Sequence, residues 1–142
     1  VWLYEGKQYE PSSEEILESG YQGFVYLITN QVTGRKYVGK KFLVAPKILP
    51  KTQTRKRRKR IRVESDWRSY FGSSAELLAD VKEYGPENFT REILRFCSTK
   101  GDCSYYELKE QIERNVLETD DYYNNYIGGK IHSKHLTINR KS

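Results

Sequence analysis

Two short runs of strand-forming residues constrain the fold of this chain more than any other feature. Gly23 to Thr29 reads GFVYLIT and Lys36 to Gly39 reads KYVG, both rich in β-branched and aromatic side chains. Between them, Asn30-Gln31-Val32-Thr33-Gly34-Arg35 has the composition of a hairpin loop. If Thr29 pairs with Lys36, Tyr37 lies opposite Ile28. Side chains alternate across a strand, so Tyr26 shares the face of Ile28 and both phenols emerge side by side. On parity alone, an aromatic cross-strand cluster holding the sheet explains this as simply as a reactive site does.

The remaining chain supplies helices and one more strand. Residues 1–11 carry Trp2, Tyr4, Tyr9 and Pro11, an irregular or short-strand start within an N-terminal extension over residues 1–22. Ser12 with Glu15 is a capping box that opens a short helix to about Ser19, and Gly20 ends it. Glu64 to Phe71 predicts a short helix. Ser73 with Glu76 reads as a second capping box, starting a helix to Tyr84 with Leu77, Leu78 and Val81 inward; Gly85-Pro86 stops it. Phe89 to Cys97 predicts a strand. A helix from about Ser104 to Leu117 presents the stripe Tyr105, Leu108, Ile112 and Val116. A Tyr-rich strand or turn, Tyr122 to Ile127, precedes a polar tail over residues 130–142, expected to be flexible. The order predicts one α+β domain, a small, mostly antiparallel three-stranded sheet flanked by helices.

Charge is placed unevenly. Lys51, Arg55, Lys56, Arg57, Arg58, Lys59, Arg60 and Arg62 fall within twelve residues without an acid between them. The rest of the chain holds 17 basic against 19 acidic residues, so the net charge of +6 belongs to this segment. With Pro46 and Pro50 close by, residues 43–63 read as an inserted basic arm rather than packed core. A solvated loop or a localisation signal is the plainer account of such a block. Clustered Lys and Arg also bind phosphates strongly through counterion release, which makes nucleic acid the expected partner. Cys97 and Cys103 fit neither a disulfide framework nor a CxxC pair, and a reducing compartment is the default. No membrane span is expected, and no secretory pattern opens the chain.

Phe24-Val25-Tyr26, about ten residues, then Tyr37-Val38-Gly39 resembles the paired elements of the GIY-YIG nuclease superfamily. The agreement continues through Asn30, Thr33-Gly34-Arg35-Lys36, Trp67-Arg68-Ser69-Tyr70-Phe71-Gly72-Ser73-Ser74, Tyr84-Gly85, Phe89 and Tyr123-Asn124. It spans roughly Gly23 to Ile127 and looks closest to phage-encoded, homing-endonuclease-like members.

The resemblance implies a divalent-metal-dependent DNA endonuclease in which water attacks the phosphodiester, leaving 3′-hydroxyl and 5′-phosphate ends. It implies that Tyr26 and Tyr37 line the active site, one accepting a proton from the attacking water. A phenol with a pKa of about 10 needs a neighbouring cation for that, and Lys40 and Lys41 are the expected source. The family's arginine falls after an insertion here, so Arg68 is the candidate, with Arg57 and Lys41 as alternatives. Glu107 matches the family's metal-binding carboxylate, with Glu110 one turn on. A lone carboxylate suits Mg²⁺ (or Mn²⁺), which takes its other ligands from water and phosphate. Asn124 matches the supporting asparagine. Lys40 and the eight basic residues of the arm are the expected DNA contacts, and double-stranded DNA is the expected partner. Because one such site cuts one strand, a homodimer is one route to a double-strand break. The implied location is intracellular and cytoplasmic, in the host cell if the gene is phage-borne. The alternative is a non-catalytic nucleic-acid-binding module on a decayed nuclease scaffold.

Overall fold

The first strand of the predicted hairpin is buried on both faces, and the rest of the molecule is layered around it. The computed structural model describes residues 1–128 and 131–136. In chain order it forms β1 (Trp2–Tyr4), β2 (Lys7–Tyr9), α1 (Ser13–Ser19), β3 (Gly23–Asn30), β4 (Lys36–Phe42), β5 (Val44–Leu49) and β6 (Lys59–Glu64). There follow α2 (Ala75–Tyr84), β7 (Phe89–Cys97), α3 (Lys100–Glu113), β8 (Tyr126–Ile127) and β9 (Ile131–His132). The main sheet has the order β2-β1-β7-β3-β4. Among the described residues, no helix is long and apolar enough to cross a membrane.

The hairpin register is as expected from the sequence: Thr29 pairs with Lys36, Ile28 with Tyr37 and Tyr26 with Gly39. Phe24, Tyr26 and Ile28 point into one core with Trp2, Trp67, Leu77 and Ile93. Val25 and Leu27 point into the other with Val38, Cys97, Cys103 and Val116. Burial on both faces explains the nearly continuous apolar run of β3.

The antiparallel trio expected from the sequence is β7-β3-β4, but the sheet has five strands. The first nine residues add β1, parallel to β7, and its hairpin partner β2. Trp2 drives this addition. It is buried against Phe24 and Tyr26, and its indole N–H donates to the Trp67 carbonyl at 2.9 Å.

Local features depart from expectation in four places. The arm is a β-ribbon: β5 and β6 pair antiparallel from Val44↔Glu64 to Leu49↔Lys59, and its strands form no ladder with the main sheet. The helix predicted over Glu64–Phe71 reduces to one 3₁₀ turn at Trp67–Ser69, because Glu64 still belongs to β6 and Tyr70 is extended. The cap of α2 is Ser74, whose hydroxyl accepts the Leu77 N–H at 3.3 Å, and Leu78 is exposed although Leu77 and Val81 are buried. Finally, α3 starts at Lys100 under a Thr99 cap, and Tyr105 and Ile112 of the predicted stripe are exposed. Its buried face carries Cys103 and Gln111 instead. Of the expected tail, residues 130 and 137–142 lie outside the described residues, while β9 pairs with β8 and Ser133–His135 form a 3₁₀ turn.

Candidate active site

Strand β4 closes the sheet, so its outer edge presents backbone groups that need partners. Two segments supply them, residues 121–124 and α3. Lys36 donates its N–H to the Asp121 carbonyl at 2.8 Å and accepts from the Tyr123 N–H at 2.7 Å. Two residues on, Asn124 grips Val38 with both ends of its amide: Oδ1 accepts the Val38 N–H at 3.0 Å, and Nδ2 donates to the Val38 carbonyl at 2.8 Å. Gln111 of α3 donates to the same carbonyl at 3.1 Å. Two residues further, Lys40 Nζ stands 3.8 Å from the Glu107 carboxylate, which sets Glu107 against this part of β4. Strand periodicity thus brings Glu107 and Asn124, far apart in sequence, to one edge beside Tyr37.

The two phenols lie side by side, with ring centroids 6.2 Å apart. Tyr26 is buried and its hydroxyl occupies the space over Gly39, where any Cβ would collide with it. Gly72, at φ +89°, closes over the same pair: a Cβ there would stand 2.9 Å from Leu77 and 3.4 Å from the Tyr37 ring. Tyr70 packs edge-on against Tyr26 at 5.9 Å. The segment carrying Tyr70 is held by Arg91, which donates to the Arg68 and Tyr70 carbonyls at 3.0 and 2.9 Å. Its guanidinium lies over Phe71 at 4.2 Å and Trp2 at 4.9 Å, and burial lowers its pKa. Tyr37 is the more accessible phenol. Its hydroxyl sits 3.0 Å from Ser73 Oγ, and both residues border a cleft of about 680 Å³ with Glu76, Tyr123, Asn124 and Tyr126.

The electrostatics of the phenols oppose the expectation that Lys40 and Lys41 ionise them. Burial raises the pKa of Tyr26 well above 10, with Tyr37, Tyr70 and Glu107 adding to the effect. Tyr37 is also raised, chiefly by burial; its bond to Ser73 works the other way, while Tyr70 and Glu107 push it up. Both lysines are engaged by acids. Lys40 Nζ is 3.8 Å from Glu107 and donates to Ser104 at 2.8 Å. Lys41 Nζ bonds Asp66 at 2.5 Å and lies over the Tyr70 ring at 4.3 Å.

The other candidates separate cleanly. Arg68 bonds Glu64 at 2.7 Å and the Pro11 carbonyl at 2.5 Å and stacks on Trp67, so its partners are neither phenol nor Glu107. Arg57 lies in the 50–58 loop at the tip of the ribbon, with the other basic residues distributed along that loop and β6. Glu110 pairs with Arg114 of its own helix at 2.9 Å, whereas Glu107 faces β4. Sequence reading did not single out Ser73 as a partner of Tyr37, taking it for a cap one residue early. It also passed over Arg91 and Gln111, whose roles depend on segments remote in sequence.

The donor set can be tested against a metal. Among the described residues, no group of three or more His, Cys, Asp or Glu side chains converges. That excludes a zinc cage built from these residues and leaves one carboxylate, Glu107, with 17% of its side chain exposed and its pKa raised by burial. A single part-buried carboxylate fits a hard cation that keeps most of its waters and binds substrate oxygens.

A family model described as "Putative endonuclease segE, GIY-YIG domain" matches residues 2–127. Among curated proteins, the "Putative endonuclease segE" of Enterobacteria phage T4 is 29% identical over 106 residues, covering 75% of this chain and 42% of that protein. The chain therefore spans about two fifths of the length of this relative. No solved structure matches it.

Proposed function

This chain belongs to the GIY-YIG family of segE-type endonuclease domains, and on that premise we propose that it hydrolyses phosphodiester bonds in double-stranded DNA with a divalent cation. The observation that carries the reading is the placement of three residues along β4: Tyr37 and Asn124 line an open cleft, and Glu107 lies against Lys40, near enough for its charge to raise the pKa of Tyr37. Mg²⁺ or Mn²⁺ held by Glu107 would offset charge on the cleaved phosphate.

Tyr37 works as a neutral phenol. Its raised pKa disfavours a phenolate at neutral pH, so the neutral hydroxyl, held at 3.0 Å from Ser73 Oγ, orients the attacking water by hydrogen bonding. The new P–O bond forms from that water, and its proton passes to solvent or to a phosphate oxygen. The P–O3′ bond breaks and O3′ takes a proton from solvent, leaving a 3′-hydroxyl and a 5′-phosphate. Tyr26, wedged between Gly39, Gly72 and Tyr70, holds the neighbouring ring and backbone rather than exchanging protons. Lys41 is the cation on the tyrosine face; its partner Asp66 is 75% exposed and readily displaced by a phosphate. Lys40 has a second role, because an incoming phosphate draws its ammonium away from Glu107 and leaves the carboxylate free to bind a cation. Arg68 is better assigned to anchoring the N-terminal segment through Pro11.

Supercoiled plasmid incubated with Mg²⁺ or Mn²⁺, and separately with EDTA, tests the reading. Nicked product is expected only with metal. Glu107→Gln should retain DNA binding and lose nicking by about 100-fold or more. Full nicking by Glu107→Gln would overturn the metal assignment, and binding without nicking by the unaltered chain under either ion would favour a decayed scaffold.

A further inference from the structure

We propose that the β5–β6 ribbon reads base sequence by entering the major groove with its outer face, Arg60 and Arg62 contacting guanine edges. This rests on the reading of the chain as a DNA endonuclease and adds to it a source of specificity.

The two faces of the ribbon differ. Cross-strand partners share a face, so Pro46↔Arg62 and Ile48↔Arg60 place these four side chains together, and all four are exposed. The opposite face carries Ala45, Leu49, Ile61 and Val63, which are half-buried, together with the exposed Lys47 and Lys59. Along the middle of the ribbon the arginine face is therefore the more open of the two, while at the base Val44 and Glu64 of that same face join the body. Glu64 follows on that outer face but is already bonded by Ser13, Trp67 and Arg68, so it does not neutralise the two arginines.

The spacing and chemistry suit a groove better than a phosphate track. Residues two apart on a strand are separated by about 6.6 Å, close to the rise of two base pairs. A two-stranded ribbon fits the major groove, where Arg pairs with guanine O6 and N7 and an apolar side chain meets the thymine methyl. Ile48 is 53% exposed between these arginines. Phosphate attraction gives no reason for an exposed isoleucine there, whereas base readout does. The tip supplies phosphate contacts separately, through the run Arg55 to Arg58.

The test uses the full chain in EDTA and a pool of duplexes with a randomised core. The unaltered protein should enrich a short guanine-containing motif. Arg60→Ala/Arg62→Ala should lose discrimination at those positions by about tenfold or more per contact, over and above the loss of affinity for the starting pool that two fewer cations bring. Replacing the motif's guanines by 7-deazaguanine, which removes N7, should weaken the parent and leave the double variant unchanged. Arg57→Ala/Arg58→Ala should weaken enriched and random duplexes alike. The proposal is overturned by the absence of an enriched motif, by insensitivity to 7-deazaguanine, or by a uniform loss in the Arg60/Arg62 variant. Metal-dependent nicking without sequence preference would overturn this proposal alone; failure to bind any duplex would overturn both it and the endonuclease reading.

Discussion

At the scale of single residues, the site depends on what cannot be added as much as on what is present. Gly39 lies opposite Tyr26 in the hairpin, and the phenol fills the volume a side chain would need. Gly39→Ala should therefore shift β4 or displace Tyr26, costing about 1–3 kcal/mol. A thermal melt reads this as a clear drop in Tm, and an unchanged Tm would show that the strand accommodates the methyl freely. Glu107 sets a pH dependence of definite sign. Burial raises its pKa above the ordinary 4.5, against the pull of Lys40. Since proton and cation compete for the same oxygens, metal-dependent nicking should fall, as pH is lowered, at a pH above the usual carboxylate range. Lys40→Ala should raise that midpoint further, as the opposing cation is gone; a pH–rate profile with the midpoint unmoved or lowered would contradict this. Because the folded pKa exceeds the unfolded one, ionising Glu107 disfavours the fold as pH rises through this window. The pairing of Tyr26 and Tyr37 was legible because strands alternate with period two. The protonation state was not, because it depends on burial and on Glu107, a residue seventy positions from Tyr37.

At the scale of elements, the free edge of β4 organises the site. Asn124 imitates a missing strand by offering Val38 an acceptor and a donor at once. Asn124→Ala leaves the Val38 N–H without this partner, at a cost of about 1–3 kcal/mol, whereas the Val38 carbonyl keeps Gln111. Hydrogen exchange should show faster opening at Val38, with little change on β3 away from it. Protection unchanged at Val38 would show that the amide pair contributes nothing to holding the edge. Sequence pattern placed β3, β4, β7, α1 and α2 close to their observed spans, since each carries its own period and its own stop. It misjudged the buried face of α3, because Gln111 turns inward to serve a carbonyl on another element, a demand invisible in helical periodicity. The Trp67 turn was misread for a similar reason: Trp67 is fixed by Trp2 and Glu64 rather than by helical neighbours.

At the scale of the whole molecule, charge and fold are separable. The ribbon pairs with itself and carries the net positive charge, while the edge of β4 that holds the candidate site belongs to the main sheet. Replacing residues 47–61 by Asn-Gly would join Pro46 to Arg62, which already pair, through a favoured two-residue turn. The change removes eight basic residues and no acidic one, taking the net charge from +6 to −2. Each neutralised phosphate adds about −0.9 to the slope of log affinity against log salt, so about five contacts give the parent a loss on the order of 10³-fold between 50 and 200 mM salt. The shortened chain should bind weakly at low salt and show a much shallower slope, set by the few phosphate contacts left to residues such as Lys40 and Lys41. Its Tm should stay close to the parent value, because Val44 and Glu64, which tie the ribbon's base to the body, are retained. Nicking should persist at high enzyme concentration, since Tyr37, Glu107 and Asn124 are untouched. A steep salt slope without the ribbon would place the phosphate contacts elsewhere on the surface, and a collapsed Tm would show that the ribbon is part of the folding unit rather than an appendage to it.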